Sequence, residues 1–297
     1  MIIDFHTHIF PDVIVNKALN NLSKAISFVP FFDGTDIGIL KDMERTGVNY
    51  SIILPVATKP EQVEIVNDQT IFMNKREKKI IFFGTMHPDY VDYKKELKRL
   101  KDNGVKGIKL HPVFQLKDMD SDSYVDIVNE AFKLGLIVVF HAGLDPGFPE
   151  RLYSSYKKIL SFLDKIDLSK GNLVLAHMGS LDEFSESYEY ILGKNLYIDT
   201  AMSFGTINHM EKGLVDITDR DLIIKMIKKH GSEKILFGSD NPWMDAKSMV
   251  DVLNSFPLTK EEKDNILFKN ACKLLSIKEE WLWTLMKKCL NLEIMVL

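Results

Sequence analysis

Short apolar runs rich in β-branched and aromatic residues alternate along this chain with longer stretches whose apolar positions recur at helical spacing. The runs are IIDFH (2–6), YSIILPV (50–56), IIFFGTMHP (80–88), VKGIKLHP (105–112), LIVVFHAG (136–143), LVLAHMG (173–179), LYIDTAM (196–202) and ILFGSDNPW (235–243). They are apolar throughout, as parallel strands covered on both faces read. Between them lie DIGILKDMERTG, YVDYKKELKRLKDNG, SYVDIVNEAFKLG and RDLIIKMIKKHG, which carry the helical period. Each closes on glycine, a residue that ends helices readily because it accepts a left-handed backbone. Eight strand–helix units predict an α/β chain closing into a (β/α)8 TIM barrel. No Gly/Ser-rich linker divides it, so one barrel domain is expected over 1–276, followed by a C-terminal helical extension over 277–297.

Histidine placement gives that pattern chemical meaning. His6, His8, His87, His111, His141 and His177 fall at or just past the C-terminal ends of expected strands, while His209 and His230 do not. In a barrel those ends converge on the mouth where active sites lie. His6 and His8, two positions apart in an extended strand, project to one face together with Asp4. Asp240 closes the eighth run. Imidazoles with a carboxylate suit Zn2+ and its first-row neighbours, and an open coordination position lowers the pKa of bound water to about 7. Asp240 is also placed to take the proton from that water.

Length and composition narrow the class. At 297 residues, with 45% hydrophobic and 27% charged residues and a net charge of -4, the chain reads as a globular protein with a mildly acidic surface. That balance gives no support to nucleic-acid binding. Cys272 and Cys289 are too few for a disulfide framework, and the opening MIIDFHTHIFPD lacks the parts of a secretory signal, so a cytoplasmic protein is expected.

In order along the chain, DFHTHIFP, GIKLHP, FHAG, AHMG and FGSDNPW resemble the amidohydrolase superfamily, in the amidohydrolase-related branch that includes aminocarboxymuconate-semialdehyde decarboxylase. The resemblance spans about residues 2–276, with NILFKNACKLL (265–275) similar to the helix that closes such chains. It implies that His6 and His8 match the first-strand metal ligands, His141 the fifth-strand ligand, His177 the sixth-strand histidine and Asp240 the eighth-strand carboxylate. His177 then positions the nucleophile, or binds a second metal. The implied cofactor is a divalent metal, foremost Zn2+, as one ion or two, with Mn2+ compatible.

Lys109 separates the branches. It shares a face with His111 and points into the barrel. In several branches a fourth-strand lysine is carboxylated and bridges two metals; in the decarboxylase branch a single metal is the rule. The other readings are a lysine paired with Asp4 or Asp199, or one that binds substrate. A glutamate on that strand would have favoured a TatD-type nuclease, and none is present. The expected activity is metal-dependent hydrolysis of a small amide, ester or lactone-like substrate bearing a carboxylate. Non-oxidative decarboxylation of a hydroxybenzoate- or muconate-like acid is the alternative, and a non-catalytic metal-binding barrel the third class. Lys109, His111, Phe114, Gln115 and Trp243 are the expected substrate contacts, with Asp240 and His177 catalytic. The long connection 203–221 is the expected lid, and His209 within it a residue facing either substrate or solvent. The extension, with Trp281, Trp283 and Leu285, is too charged for a membrane span and suits packing on the barrel or a homodimer partner.

Overall fold

The computed structural model describes residues 1–277. All eight apolar runs form strands. They are β1 (Ile3–Thr7), β2 (Tyr50–Ile53), β3 (Ile80–Phe82) with β4 (Gly84–Thr85), β5 (Gly107–Leu110), β6 (Ile137–Phe140), β7 (Leu173–Leu175), β8 (Tyr197–Asp199) and, after a hairpin, β11 (Ile235–Leu236). The third run is split at Phe83, leaving one parallel sheet β1–β2–β3 and a second in the order β11–β8–β7–β6–β5–β4. Backbone bonds also join the first run to the last: Phe5 N donates to Phe237 O at 2.7 Å and Asp240 N to His6 O at 2.8 Å. Gly238 permits that approach, because a Cβ there would fall 2.8 Å from His6 Cβ.

The long connection after the seventh run is built rather than loose. It forms an antiparallel hairpin, β9 (Thr206–His209) with β10 (Gly213–Asp216). Helices flank the strands as their period requires. In Asp36–Thr46 the Thr35 side chain accepts from Gly38 N, and Gly47 at φ 78 ends the helix, caps of a kind that contribute about 1 kcal/mol.

Register decides what each face of the larger sheet meets. Lys109 pairs with Val139, Val139 with Val174 and Val174 with Tyr197, so these side chains share one face. The other face presents Ile108, Leu110, Val138, Phe140, Leu175 and Ile198 to the helices. There Phe140 meets Tyr124 and Phe162 edge-on, with ring centroids 5.3 and 5.2 Å apart. Helix Asn270–Leu275 packs Ala271, Cys272 and Leu275 into the cluster of Ile3, Phe5 and Ile137. Among the described residues no helix is long and apolar enough to cross a membrane. The extension, apart from Ile277, lies outside the described residues.

Candidate metal centre

Strand ends bring three candidate ligand atoms to one point. His6 Nε2 lies 3.3 Å, and His8 Nε2 3.0 Å, from Asp240 Oδ1. The opposite ring nitrogens are already committed: His6 Nδ1 sits 2.8 Å from Asp199 Oδ2, and His8 Nδ1 3.1 Å from Leu54 O. Facing acceptors, both Nδ1 atoms carry the N–H in the neutral rings, so each Nε2 turns a lone pair toward the carboxylate. Lone pairs converging at such distances suit a shared cation, and the Lys109 ammonium stands 3.4 Å from His6 Nε2.

Two buried aspartates hold this arrangement from below. Asp199 joins His6 to the sixth-run histidine, accepting His177 N at 2.8 Å and Ala201 N at 3.1 Å on Oδ1. Asp4 joins β1 to the Asp240 loop through Ser239 N (2.9 Å), Ser239 Oγ (2.5 Å) and His6 N (3.2 Å). Burial pushes the Asp4 carboxyl up to about 7 against these bonds. For Asp199 the opposing effect wins: burial disfavours the charge, but the adjacent His6 keeps its pKa below the ordinary value. Carboxylates behind ligand imidazoles fix ring orientation and raise basicity.

A second group of rings adjoins the first. His177 Nδ1 lies 3.1 Å from Ala201 O and its Nε2 3.1 Å from His141 Nδ1. By the same logic His141 donates to His177 and keeps a lone pair on Nε2, which is buried without a partner. His111 is clamped between His141 and Phe114, with centroids 4.1 and 3.9 Å away and planes within 10° and 4°. Its Nε2 is 3.8 Å from Asp145, and its Nδ1 has no partner. Burial lowers the pKa of His6 to about 4 and holds His111, His141 and His177 below the ordinary histidine value.

Lys109 is wholly enclosed, with Nζ 3.4 Å from His6 Nε2. Burial lowers its pKa to about 8, against the pull of Asp199 and Asp240. Its charged neighbours are those two carboxylates rather than Asp4.

The ligand atoms of His6, His8 and Asp240 lie within 4.8 Å of one another, as do those of His6, His177 and Asp199, and those of His111, His141 and Asp145. His141 thus stands one ring away from the first trio, linked to it through His177. Both His177, at φ 60, and Asp240, at φ 68, hold left-handed backbone that is uncommon outside glycine. Of the other expected contacts, Phe114 lies against His111, Trp243 is buried in the apolar core and Gln115 is tied into the loops. Gln115 Nε2 donates to Ala57 O and Met86 O, while Oε1 accepts from His111 N and Tyr124 OH. His87 accepts Asp89 N in its own turn, and His209 accepts Glu211 N at the hairpin tip. Asp145 was not among the residues expected at the site, and Asp199 was expected only as a partner of Lys109. LYIDTAM carried the signal for Asp199, since residue 199 shares the face of Tyr197.

Inward lone pairs on His6 and His8 with an ionised Asp240 form a nitrogen and oxygen donor set that fits a divalent cation, while the unpartnered His141 Nε2 belongs to the neighbouring group with His111 and Asp145. Solved structures similar to this one agree with it in fold at low identity. They include 2,6-dihydroxybenzoate decarboxylase from Rhizobium (16% identity, TM-score 0.66, 93% of this chain and 98% of that one). Others are 5-carboxyvanillate decarboxylase from Sphingomonas paucimobilis (13%, 0.68, 93% and 99%) and a dihydroxybenzoic acid decarboxylase from Polaromonas sp. JS666 with bound manganese and 2-nitroresorcinol (14%, 0.65, 93% and 97%). A comparison with curated protein sequences gave no match. The amidohydrolase family model matches residues 3–277, and the chain accordingly belongs to the amidohydrolase family of metal-dependent enzymes.

Proposed function

We propose that the two parallel sheets form one closed (β/α)8 barrel and that its mouth hydrolyses a small carboxylate-bearing amide, ester or lactone at a divalent metal. Closure is supported by the bonds from Phe5 to Phe237 and from Phe83 N to Ile53 O, and by the parallel bridge between Thr7 and Asn241. His6, His8 and Asp240 would hold the metal, with His141 completing the set, and zinc is the ion best suited to this mixture of imidazole and carboxylate. Such an ion acidifies water and polarises a carbonyl.

The observation that carries the hydrolytic reading is the direction of the lone pairs. With both Nδ1–H groups spent on Asp199 and Leu54, His6 and His8 present only acceptors, beside the acceptor Asp240. Those imidazole lone pairs would be taken up by the metal, which leaves Asp240 as the group that would receive a proton from water. His177 lies next to that point and would orient the attacking group through Nε2 on giving up its contact with His141. Lys109 and the clamped His111 face the substrate's carboxylate, and Phe114 extends the flat wall. Trp243 and Gln115 shape the pocket from behind.

Decarboxylation of a hydroxybenzoate-like acid is the second reading, favoured by the similarity of fold to three decarboxylases, one of which was solved with manganese. Elemental mass spectrometry on protein prepared without chelator, followed by parallel assays on lactone, ester and hydroxybenzoate panels, separates the two. Metal-dependent hydrolysis without carbon dioxide release is the expected result. Carbon dioxide release from an aromatic acid would replace hydrolysis with the second reading.

A further inference from the structure

The loop that carries Asp240 is tied to helix Asp36–Thr46. Asn241 Nδ2 donates to Asp42 Oδ2 at 2.6 Å, and both side chains are buried. Arg45, one helical turn on, donates to Asp42 Oδ1 through Nε at 2.9 Å and through its terminal nitrogen at 2.7 Å. The same terminal nitrogen reaches Asp245 at 2.7 Å, and Asp245 caps helix Ala246–Ser255 by accepting Ser248 N. Asn241 in turn holds both ligand segments. Its carbonyl accepts His8 N at 2.8 Å, and its own N–H donates to Ser239 Oγ at 3.0 Å. One chain of bonds therefore runs from a half-exposed arginine to the backbone of His8 and of Asp240.

We infer that Asp42 and Asn241 are positioning residues for metal binding, and that Arg45 fixes Asp42 in that role. This rests on the proposed metal at His6, His8 and Asp240. Asp240 holds a left-handed backbone at φ 68, a conformation that persists only where the surroundings impose it. Asn241 is the adjoining residue, and its side-chain bond to Asp42 anchors that backbone to the helix. Loosening it moves Asp240 and His8 together, since both follow the Asn241 main chain. Residues behind metal ligands typically govern affinity by about 10- to 100-fold.

The decisive measurement is the zinc dissociation constant, by competition with a chromophoric chelator, for the full chain and its variants. Asp42→Ala should weaken zinc by about 10- to 100-fold, and Asp42→Asn should recover part of the loss because its carboxamide oxygen still accepts from Asn241. Glu96→Ala, in an Arg–Glu–Asn network that touches no ligand, is the control for a purely structural effect and should leave the constant unchanged. A folded Asp42→Ala protein that binds zinc within twofold of wild type would overturn the inference. If Asp42→Ala does not fold, Arg45→Met and Asn241→Ala decide in its place, through several-fold weaker zinc at unchanged circular dichroism or through no change. Wild-type protein that takes up neither zinc nor manganese would sink the metal reading itself, whereas tight wild-type binding indifferent to these variants sinks only the positioning role.

Discussion

Two buried networks in this protein share one construction and serve different ends. In one, Arg99 grips Glu96 three residues earlier in its helix, and Glu96 accepts Asn67 Nδ2 at 2.7 Å. In the other, Arg45 grips Asp42 three residues earlier, and Asp42 accepts Asn241 Nδ2 at 2.6 Å. Asn67 is saturated: it also donates to Thr85 O and accepts Thr85 N, pinning β4 by both backbone groups. Asn241 is not, for its Oδ1 is buried without a partner. A closed network of this kind supports the fold, whereas the open one sits where the chain carries the proposed ligands and leaves a buried amide oxygen unpaired.

The sharpest way to test that division is to remove the ligands. His6→Ala with His8→Ala should reduce metal to background by elemental mass spectrometry and turnover by about 10³-fold or more, since loss of several kcal/mol of transition-state stabilisation costs a decade per 1.36 kcal/mol. Full turnover in that variant would end the scheme. Next in size, Glu96→Ala leaves Arg99 with only Asp68 and leaves Asn67 one acceptor short. Chemical denaturation should show a loss of about 1–3 kcal/mol, mainly from the buried Asn67 amide left without its acceptor, with metal content intact, and a loss of metal instead would erase the contrast between the networks.

Lys109 supplies a pH-dependent test. Its pKa falls from 10.5 in the unfolded chain to about 8 in the fold, so between these values the unfolded state binds more protons and stability rises with pH. The cost is full below pH 8, about 3 kcal/mol by linkage, and vanishes above about 10.5. Lys109→Met in chelated protein should flatten the rise between pH 8 and 10.5 relative to wild type in denaturant titrations. An unchanged slope would mean that Lys109 is not held as an enclosed ammonium.

Much of this was legible in the residues. Apolar runs with a helical period between them located the parallel strands, because burial on both faces leaves a continuous signature. The third run, IIFFGTMHP, reads as one strand yet splits at Phe83, a local break that periodicity does not register. Parity along the strands put Lys109 and His111 on one face. It did not tell a histidine that joins the rings, such as His141, from one that closes its own turn, such as His87, since both follow a strand. Gln115 resembled a substrate contact for the same reason: a polar residue in a loop after a strand, whose four bonds only the folded backbone reveals. The hairpin β9–β10 was missed because its alternation is short and interrupted by charge.

The left-handed backbone at His177 and Asp240 has a meaning for anyone wishing to engineer this scaffold for heat resistance. Glycine is the substitution that conformational bookkeeping recommends at such positions, each strained residue costing of order 1 kcal/mol or more. Here both gains would come at two side chains on which the proposed chemistry relies. A hardened variant should therefore draw its improvement from surface helices and loop tips, and a screen that selects on melting temperature alone will steer toward proteins that have kept the fold and discarded the proposed reaction.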